Sequence, residues 1–363
     1  MTIDEARAEF PVFERFAYLN AGTNGPLARP TVAAMVERAQ ADLEQGRGGA
    51  EYFSSTLEQR ERVRAKLAAT VGVPAESLSL STSTTNGCNI VLGGLGLGPE
   101  DEVLTTDGEH FGLLGALGAS PVKVRVAAVR ELPPEQSLDV LLAEVTRKTR
   151  LLALSHICWV SGNRFPIDEL KEATGLPLLA DGAQSAGAVA VDASGIDYYA
   201  FSCQKWICGP DGTGGLAVRD PESLSICAPS YLSQDGYEPT GAFSPRAGAK
   251  RFDSGWTAPP SLAGLDAALD VAPEGRFERA AEMTARCREL ISEKAEVVTA
   301  PGQGTLVTFR FDGDTAELVG RLYEQGVIVR DLPGLGLLRV SCGWWTTDDD
   351  LERLVGALPS RRS

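Results

Sequence analysis

Residues 177–218 read PLLADGAQSAGAVAVDASGIDYYAFSCQKWICGPDGTGGLAV. Three short apolar runs stand in this segment, at 177–180, 198–201 and 215–218. Short apolar runs bounded by glycine, proline and aspartate predict buried strands. Asp181 follows the first run directly, and Lys205 lies just past the second. Because ligands of open α/β sheets bind at the carboxyl ends of the strands, the segment predicts part of a sheet and the place of a site.

Four more strand candidates precede this segment, at 77–81, 102–106, 122–128 and 150–155. Most of the seven candidates are separated by stretches that are compatible with helices. Near the start of the chain, residues 31–45 and 55–69 repeat apolar residues at helical spacing and predict two surface helices. This alternation predicts an α/β fold with a mainly parallel sheet that helices cover on both faces.

The pattern changes after residue 230. Residues 231–253 are rich in Gly, Pro, Ser and Tyr and predict a long loop, which in a compact domain is usually functional or disordered. Helices are then predicted at 262–295, at 315–325 and after Thr347, and strands at 305–311, 327–330 and 337–341. The last hundred residues therefore predict a smaller α+β domain.

Composition narrows the possible partners. The chain of 363 residues has 34 basic and 49 acidic residues and a formal net charge of −15, which disfavours nucleic acid and anionic lipid. Seven cysteines, an odd number, predict reduced thiols in a cytosol, and no apolar run is long enough to span a bilayer. Two histidines are too few for a multi-histidine metal centre. We expect a cytoplasmic protein with no metal and no membrane partner.

Lys205 differs from the other lysines of the chain in its surroundings. It leaves a predicted strand, precedes Trp206 and is followed by a glycine-rich turn. Partial desolvation lowers the pKa of a lysine and suits it to Schiff-base chemistry. The alternative is an interior lysine whose ammonium group reaches solvent.

Asp181 stands at the carboxyl end of an apolar strand. A buried acid is costly unless a cation faces it, and a protonated pyridine nitrogen is such a cation. The alternative is an aspartate that caps the following helix, which is common where a strand leads into a helix. Both interpretations remain open at the level of the sequence.

Two further segments suggest contacts with a ligand. Residues 81–89, STSTTNGCN, place hydroxyls and a glycine before a helix predicted to begin near Asn86, and free amides at a helix start favour a phosphate. A simple helix cap is the alternative. His110 follows Asp107-Gly-Glu at a strand end, where its ring would stack on a flat cofactor or face solvent from a loop.

Together, the hydroxyl-rich turn, Glu109-His110, Asp181-x-x-Gln184 and Ser202-x-x-Lys205 resemble, in order and spacing, the fold-type I pyridoxal-phosphate enzymes of the class V aminotransferase superfamily. That superfamily holds cysteine desulfurases, kynureninases, isopenicillin epimerase-like proteins and cyst(e)ine C–S lyases. The resemblance runs from about Tyr18 to Leu354. It implies a mainly parallel seven-stranded sheet with helices on both faces, in a homodimer. It also implies a large cofactor-binding domain over 20–257 and a small α+β domain formed by 1–19 and 258–363.

The resemblance implies pyridoxal 5'-phosphate as the cofactor and assigns its contacts residue by residue. Lys205 would form the Schiff base, Asp181 would contact the pyridine nitrogen, and His110 would stack on the ring. Gln184 would bond the phenolic oxygen. The expected phosphate contacts are Thr84, Thr85, Ser202, Gln204 and, reaching in from a second subunit, Thr257.

The same resemblance implies the substrate contacts. Arg339 matches the arginine that binds the carboxylate of an amino-acid substrate, where its forked geometry allows two parallel hydrogen bonds. Arg330 and the turn of Gly22 and Thr23 would be neighbours of that carboxylate. Trp159 stands where desulfurases typically have an asparagine beside the substrate, and cyst(e)ine lyase-like members look similar here. The alternative for Trp159 is a core aromatic residue.

Two departures from the family pattern narrow the reaction. Relatives usually have a histidine before the lysine, whereas this chain has Gln204, which donates a hydrogen bond but carries no charge. The segment of residues 331–338, DLPGLGLL, is short and contains no cysteine. Desulfurases carry their sulfur-accepting cysteine in the corresponding segment. Cys342 lies in a predicted strand, where burial as a small apolar residue is the default. Persulfide transfer by the usual desulfurase route is therefore disfavoured.

We therefore expect Lys205 to remove the Cα proton of an amino acid and a sulfur group to leave from Cβ, which is a β-elimination on a cysteine- or cystine-type substrate. The alternatives are a class V aminotransferase or an epimerase. A cysteine desulfurase and a catalytically silent partner protein with the same fold are less favoured.

Overall fold

A computed structural model describes residues 1–359 of the chain. The helices in that range are α1 (Ile3–Ala8), α2 (Arg29–Gln45), α3 (Gly49–Thr70), α4 (Thr84–Gly94), α5 (Phe111–Ala119), α6 (Pro134–Glu144), α7 (Ile167–Thr174), α8 (Pro259–Val271), α9 (Arg276–Ser292), α10 (Thr315–Glu324) and α11 (Asp348–Ala357). The strands are β1 (Ala17–Tyr18), β2 (Leu78–Ser81), β3 (Glu102–Thr106), β4 (Lys123–Ala127), β5 (Thr149–Ser155), β6 (Leu178–Asp181), β7 (Tyr198–Ser202), β8 (Gly214–Val218), β9 (Gln234–Tyr237), β10 (Phe243–Pro245), β11 (Leu306–Arg310), β12 (Val327–Ile328), β13 (Arg330–Leu332) and β14 (Leu337–Ser341).

The central sheet has seven strands in the order β2-β8-β7-β6-β5-β3-β4. Neighbouring strands from β7 to β4 run parallel, and β8 runs antiparallel to both β2 and β7. The prediction of a mainly parallel seven-stranded sheet is confirmed. Its strand order places the carboxyl ends of β5, β6 and β7 side by side, so residues that follow these strands lie close together.

Helices cover both faces of this sheet. Leu152 and Leu154 of β5 belong to one apolar cluster, with residues of α3, α6 and α7, whereas Leu151 and Ala153 belong to a second cluster with residues of α4 and α5. Because successive side chains of a strand point to opposite faces, the two clusters lie on opposite sides of the sheet. The uninterrupted apolar runs of the sequence reflect this burial on both faces.

A second sheet has three antiparallel strands in the order β11-β14-β13. It shares an apolar cluster with α9, α10 and α11. Arg330 of β13 stands directly opposite Arg339 of β14 in the strand register. Asn20, which follows β1, bridges to Ser341 at the end of β14. The N-terminal segment is thereby tied to the strand that carries Arg339.

Three sequence-based predictions are wrong in detail. The predicted loop at 231–253 contains the antiparallel hairpin β9–β10, whose turn is closed by Gly241 at a φ of 88°. The predicted helix at 262–295 is two helices, α8 and α9, because Pro273 and Gly275, with a φ of 70°, interrupt the helical hydrogen bonding. The predicted strand at 327–330 divides, since β12 pairs with β1 while β13 pairs with β14.

The division into a large domain over 20–257 and a small domain of 1–19 and 258–363 stays a prediction. Helix α8, on the small-domain side of that boundary in the sequence, packs against α2 and α3. The last four residues of the proposed small domain lie outside the described residues. Across 1–359, no helix is both long and apolar enough to cross a membrane.

Candidate active site

A cavity of about 250 Å³ opens at the carboxyl ends of β5, β6 and β7 and extends to the arginines of β13 and β14. Its walls are formed by Gly22, Thr23, Ser83, Thr84, Thr85, His110, Gly112, Trp159, Asp181, Ala183, Gln184, Ser202, Gln204, Lys205, Arg330 and Arg339. Thirteen of these residues are the site residues that the sequence predicted. Thr257 is the predicted residue that does not reach the cavity in the described chain; it is half-buried outside it.

Asp181 is the last residue of β6 and is almost completely buried. One carboxylate oxygen, Oδ1, accepts the N–H of Ala183 at 2.9 Å, so the residue does cap the turn that follows the strand. Burial raises the pKa of this carboxyl group, and the charge of Lys205 and the Ala183 N–H oppose that shift. Within residues 1–359, Asp181 forms no ion pair. Asp181 therefore caps the turn and also lines the cavity. Its buried carboxylate would be stabilised by a cation bound in the cavity.

Lys205 lies three residues after β7, in a turn whose backbone is contacted by the segment that follows β1. The N–H of Gly25 donates to the carbonyl of Gln204 at 2.7 Å, and a Cβ on Gly25 would lie 2.0 Å from the carbonyl oxygen of Lys205. Only a glycine allows this approach. Burial lowers the pKa of the Lys205 amine to about 8, against the opposing charge of Asp181. The amine is therefore partly neutral at physiological pH.

The N-terminus of α4 forms the anion-binding end of the cavity. Ser83 caps the helix, accepting the Asn86 N–H at 3.1 Å, and the Thr84 N–H donates to Ser202 Oγ at 2.9 Å. The hydroxyls of Thr84 and Ser202 lie 2.8 Å apart. In the part of the chain that the structure describes, the Thr85 N–H has no hydrogen-bond partner. A free amide, two hydroxyls and the helix dipole together suit a phosphate group.

His110 is the N-cap residue of α5. Its Nδ1 accepts the Gly112 N–H at 3.1 Å, and its ring meets that of Trp159 edge-on, with centroids 5.4 Å apart. Burial and the charge of Lys205 lower the pKa of the imidazole. The ring is therefore neutral, and its remaining proton sits on Nε2. His110 is solvent-exposed where it borders the cavity, and its stacking on a flat cofactor stays a prediction.

Gln184 is engaged by the protein at both ends of its amide. Its Nε2 donates to the carbonyl of Gly22 at 2.8 Å, and its Oε1 accepts the indole N–H of Trp206 at 3.0 Å. One N–H of the amide is left for a ligand. The contact with a phenolic oxygen expected from the sequence is compatible with this geometry, and it stays a prediction.

Arg330 and Arg339 bring two positive charges to the opposite end of the cavity. Nη1 of Arg339 donates to the carbonyl of Trp159 at 2.9 Å, and its Nε, like the Nε1 of Trp159, is buried without a partner among the described residues. Burial, and then the charge of Arg330, lower the pKa of Arg339. Neither arginine has an ion pair within residues 1–359. These unpaired donors fit an anionic ligand.

Three cavity residues were missed from the sequence: Ser83, Gly112 and Ala183. Ser83 was detectable, because serine is a typical N-cap residue where a strand leads into a helix, and α4 begins two residues earlier than predicted. The backbone N–H groups of the other two donate to His110 Nδ1 and Asp181 Oδ1, and residue identity does not reveal such contacts. Among residues 1–359, no group of three or more His, Cys, Asp or Glu side chains is arranged so that it could hold a metal ion.

Residues 18–354 match the family model described as aminotransferase class-V. The chain is 30% identical over 401 residues to an isopenicillin N epimerase of Amycolatopsis lactamdurans, with 97% of each chain covered. It is 32% identical over 399 residues to a probable cysteine desulfurase of Pseudomonas aeruginosa, covering 97% of this chain and 96% of the relative.

Two solved structures of the cystine C–S lyase C-DES resemble this fold closely, each at 27% identity over 96% of this chain and 98% of the other. The complex with its reaction product cysteine persulfide has a TM-score of 0.88, and a mutant with glycine covalently linked to the PLP cofactor has a TM-score of 0.89. The residues present here fit that cofactor: a buried lysine, a buried acid that lacks a cation, and hydroxyl groups at the N-terminus of α4. Pyridoxal phosphate is therefore the cofactor of this chain.

Proposed function

The chain belongs to the aminotransferase class-V family, and from that premise we propose that it is a C–S lyase that catalyses β-elimination on a cysteine- or cystine-type amino acid. When bound, pyridoxal phosphate supplies an electron sink that stabilises negative charge at the substrate Cα. The roles of the surrounding residues follow from their position and charge.

We assign Lys205 two tasks. A partly neutral amine, with a pKa of about 8, is a nucleophile that binds the cofactor covalently and, once released, a base that accepts the Cα proton. Asp181 holds the pyridine nitrogen protonated, since this buried carboxylate is stabilised by a facing cation. Thr84, Thr85, Ser202 and Gln204 bind the phosphate without a charged side chain of their own, through hydroxyls, an amide group and the α4 terminus.

The two cavity arginines, Arg330 and Arg339, favour a substrate with two carboxylates. One substrate carboxylate neutralises one guanidinium, which leaves the second positive charge in the cavity without a partner. Cystine has two carboxylates, one at each end, and would neutralise both. The 27% identity to the cystine C–S lyase C-DES, over nearly the whole chain, supports the same choice.

The connection between β13 and β14 argues against desulfurase chemistry. The strands end at Leu332 and resume at Leu337, and the Leu335 N–H donates to the carbonyl of Leu332 at 3.1 Å to close a tight turn. So short a turn has no length for a mobile segment with a nucleophilic thiol. Cys342 is fully buried in the apolar cluster of the second sheet and is not positioned to accept sulfur.

With cystine, Lys205 accepts the Cα proton, and the Cβ–S bond breaks with its electron pair leaving on sulfur. Cysteine persulfide departs, and the remaining aminoacrylate takes up water and yields pyruvate and ammonia. The neutral His110, with a proton on Nε2, is available to protonate the departing sulfur. No external keto acid is consumed in this balance.

The test is incubation of the holoenzyme with L-cystine and no added keto acid, with pyruvate, ammonia and persulfide measured. We expect all three, in equal amounts, and none from the Lys205→Ala variant. An absolute requirement for an added keto acid would instead establish an aminotransferase.

The second candidate is an epimerase, favoured by the 30% identity to an isopenicillin N epimerase over almost the full chain. An epimerase returns the proton to the opposite face of Cα and forms no pyruvate. Incubation with amino acids in heavy water separates the two, because an epimerase gives the D-isomer with deuterium at Cα. A holoenzyme that converts no amino acid at all would instead be a catalytically silent partner protein.

We further propose a cytoplasmic homodimer. Thr257, expected to reach a second subunit's phosphate site, lies next to the exposed Trp256, which packs with Tyr52 and Phe53 in an aromatic surface cluster. Light scattering should give twice the chain mass of 38.4 kDa. A species of 38.4 kDa alone would contradict the dimer.

A further inference from the structure

The hydroxyl of Thr23 contacts both cavity arginines. Its Oγ1 accepts Nη1 of Arg330 at 3.1 Å and Nη2 of Arg339 at 3.3 Å, and it donates its own hydrogen to Oδ1 of Asn20 at 2.7 Å. A hydroxyl has one hydrogen and two lone pairs, so all three are in use. Thr23 therefore has no hydrogen left for a substrate carboxylate, which changes its expected part from a substrate contact to a support for the arginines.

The turn that carries Thr23 is itself held in place. The Thr23 N–H donates to the carbonyl of Asn20 at 2.9 Å, and the Gly22 N–H donates to Ser341 Oγ at 3.2 Å. Ser341 ends β14, two residues past Arg339. A Cβ on Gly22 would lie 2.9 Å from Nη2 of Arg339, so the backbone of the turn approaches the guanidinium closely. The turn and the arginine strand form one unit.

The arginines need this support because they repel each other. Two guanidinium groups that donate to the same oxygen are close, and no carboxylate neutralises either of them within residues 1–359. Arg339 is buried and has a second anchor at the Trp159 carbonyl. Arg330 is half-buried, and within residues 1–359 its side chain donates a hydrogen bond to Thr23 alone. Without the hydroxyl, Arg330 would turn toward solvent.

We propose that Thr23, anchored by Asn20, is a positioning residue that holds Arg330 beside Arg339 as a preformed receptor for two anionic groups, and so sets a preference for dicarboxylic over monocarboxylic substrates. The inference rests on the proposed function for the identity of the substrate. The geometry of the receptor does not depend on which bond the enzyme breaks.

The first experiment compares Thr23→Val, which keeps the shape and removes the hydroxyl, with Thr23→Ser, which keeps the hydroxyl. The substrates are cystine and the mixed disulfide of cysteine with methanethiol, which lacks the distal carboxylate. Loss of a hydrogen bond to a charged group predicts a KM for cystine raised about tenfold or more in Thr23→Val, with kcat changed less than about threefold. The KM for the mixed disulfide should rise less than the KM for cystine, because Arg339 keeps its second anchor at the Trp159 carbonyl. Thr23→Ser, which keeps the hydroxyl, should retain the parental KM for cystine.

The second experiment measures binding without turnover. Calorimetric titration of the holoenzyme with adipate and with hexanoate, which differ by one carboxylate, should show a preference for adipate in the parent and in Thr23→Ser. That preference should be lost in Thr23→Val and weakened in Asn20→Leu. The Asn20→Leu variant provides the test if Thr23→Val does not fold. Equal preference in the parent and in the folded hydroxyl-free variants would overturn the proposal.

The two experiments separate this inference from the proposed function. If cystine is not cleaved but the adipate preference follows the hydroxyl, the lyase assignment fails and the positioning role stands. If cystine is cleaved and Thr23→Val retains both the KM of the parent and its adipate preference, the positioning role fails and the lyase assignment stands.

Discussion

Nδ1 of His110 accepts the backbone N–H of Gly112 at 3.1 Å, so one imidazole nitrogen caps α5 while the ring forms part of the cavity wall. The bond needs an unprotonated Nδ1, and burial with the charge of Lys205 lowers the pKa of the ring in the same direction. His110 thus combines a structural task with a place on the cavity wall, and substitutions can separate the cap from the role proposed for the ring.

Replacing His110 with asparagine should keep the cap and remove the ring, whereas His110→Ala should remove both. Loss of an N-cap costs about 1 kcal/mol, so the free energy of unfolding should fall by that amount in the alanine variant and remain near the parent value in the asparagine variant. Both should lose activity by about 100-fold or more if the ring acts in proton transfer. Urea unfolding and pyruvate release measure the two effects, and an asparagine variant with parental activity would contradict the role of the ring.

Lys205→Ala should remove the near-visible absorbance of the bound cofactor after dialysis. Lys205→Arg is the matched control, because it keeps a positive charge in the cavity but forms no covalent bond with the aldehyde. In the parent apoenzyme, a lysine pKa of about 8 predicts that the rate of cofactor binding rises with pH and levels off above that value, as the neutral amine accumulates. Stopped-flow absorbance measures this rate, and a flat profile below pH 8 would count against Lys205 as the nucleophile.

The buried carboxyl group of Glu109 should make the free energy of unfolding depend on pH. Its carboxyl group is buried and bonded to Thr106 Oγ1 at 2.6 Å and to the Ser155 N–H at 3.0 Å. Burial raises its pKa from 4.5 to about 7, a shift that the hydrogen bonds oppose and the charge of Asp181 assists. The folded chain therefore binds this proton more tightly than the unfolded chain, and stability falls as pH rises between these two values.

A pKa shift of this size contributes about 3 kcal/mol to the free energy of unfolding. This contribution is complete at a pH below the pKa of Glu109 in the unfolded chain, and it is lost at a pH above the pKa of Glu109 in the folded chain. Glu109→Gln keeps an uncharged side chain of the same shape and should abolish this part of the pH dependence. Urea unfolding at about pH 5 and pH 8 gives the comparison. Parallel profiles for the parent and the glutamine variant would show that Glu109 does not titrate in this range.

Gln204 should limit the affinity for the cofactor phosphate. Substituting histidine adds a donor that carries a partial positive charge, and charge-assisted hydrogen bonds are roughly twice as strong as neutral ones. We expect Gln204→His to bind pyridoxal phosphate several-fold more tightly and Gln204→Glu to bind it at least about tenfold more weakly. Equilibrium dialysis followed by absorbance gives both constants. Equal affinities for all three proteins would place Gln204 out of reach of the phosphate.

The strand ends of the central sheet were predictable because their signal is local. Asp181 and Lys205 each follow an uninterrupted apolar run, and parallel strands in adjacent positions bring such ends to one edge. The break between α8 and α9 was also present locally, at Pro273 and Gly275, but continuous apolar periodicity on both sides of it favoured a single helix. The hairpin within 231–253 had weaker local signals, because its short strands are exposed and carry little apolar alternation.

By itself, the amino-acid sequence determined the seven-stranded α/β sheet, the residues that follow its strands and the match to one enzyme family, since apolar periodicity and motif spacing act over short distances along the chain. Only the tertiary structure showed which side chains Thr23 contacts. Its partners Arg330 and Arg339 lie 307 and 316 residues away in the chain, on a separate sheet. Their meeting depends on how the N-terminal turn packs against β14, and no local preference encodes that contact.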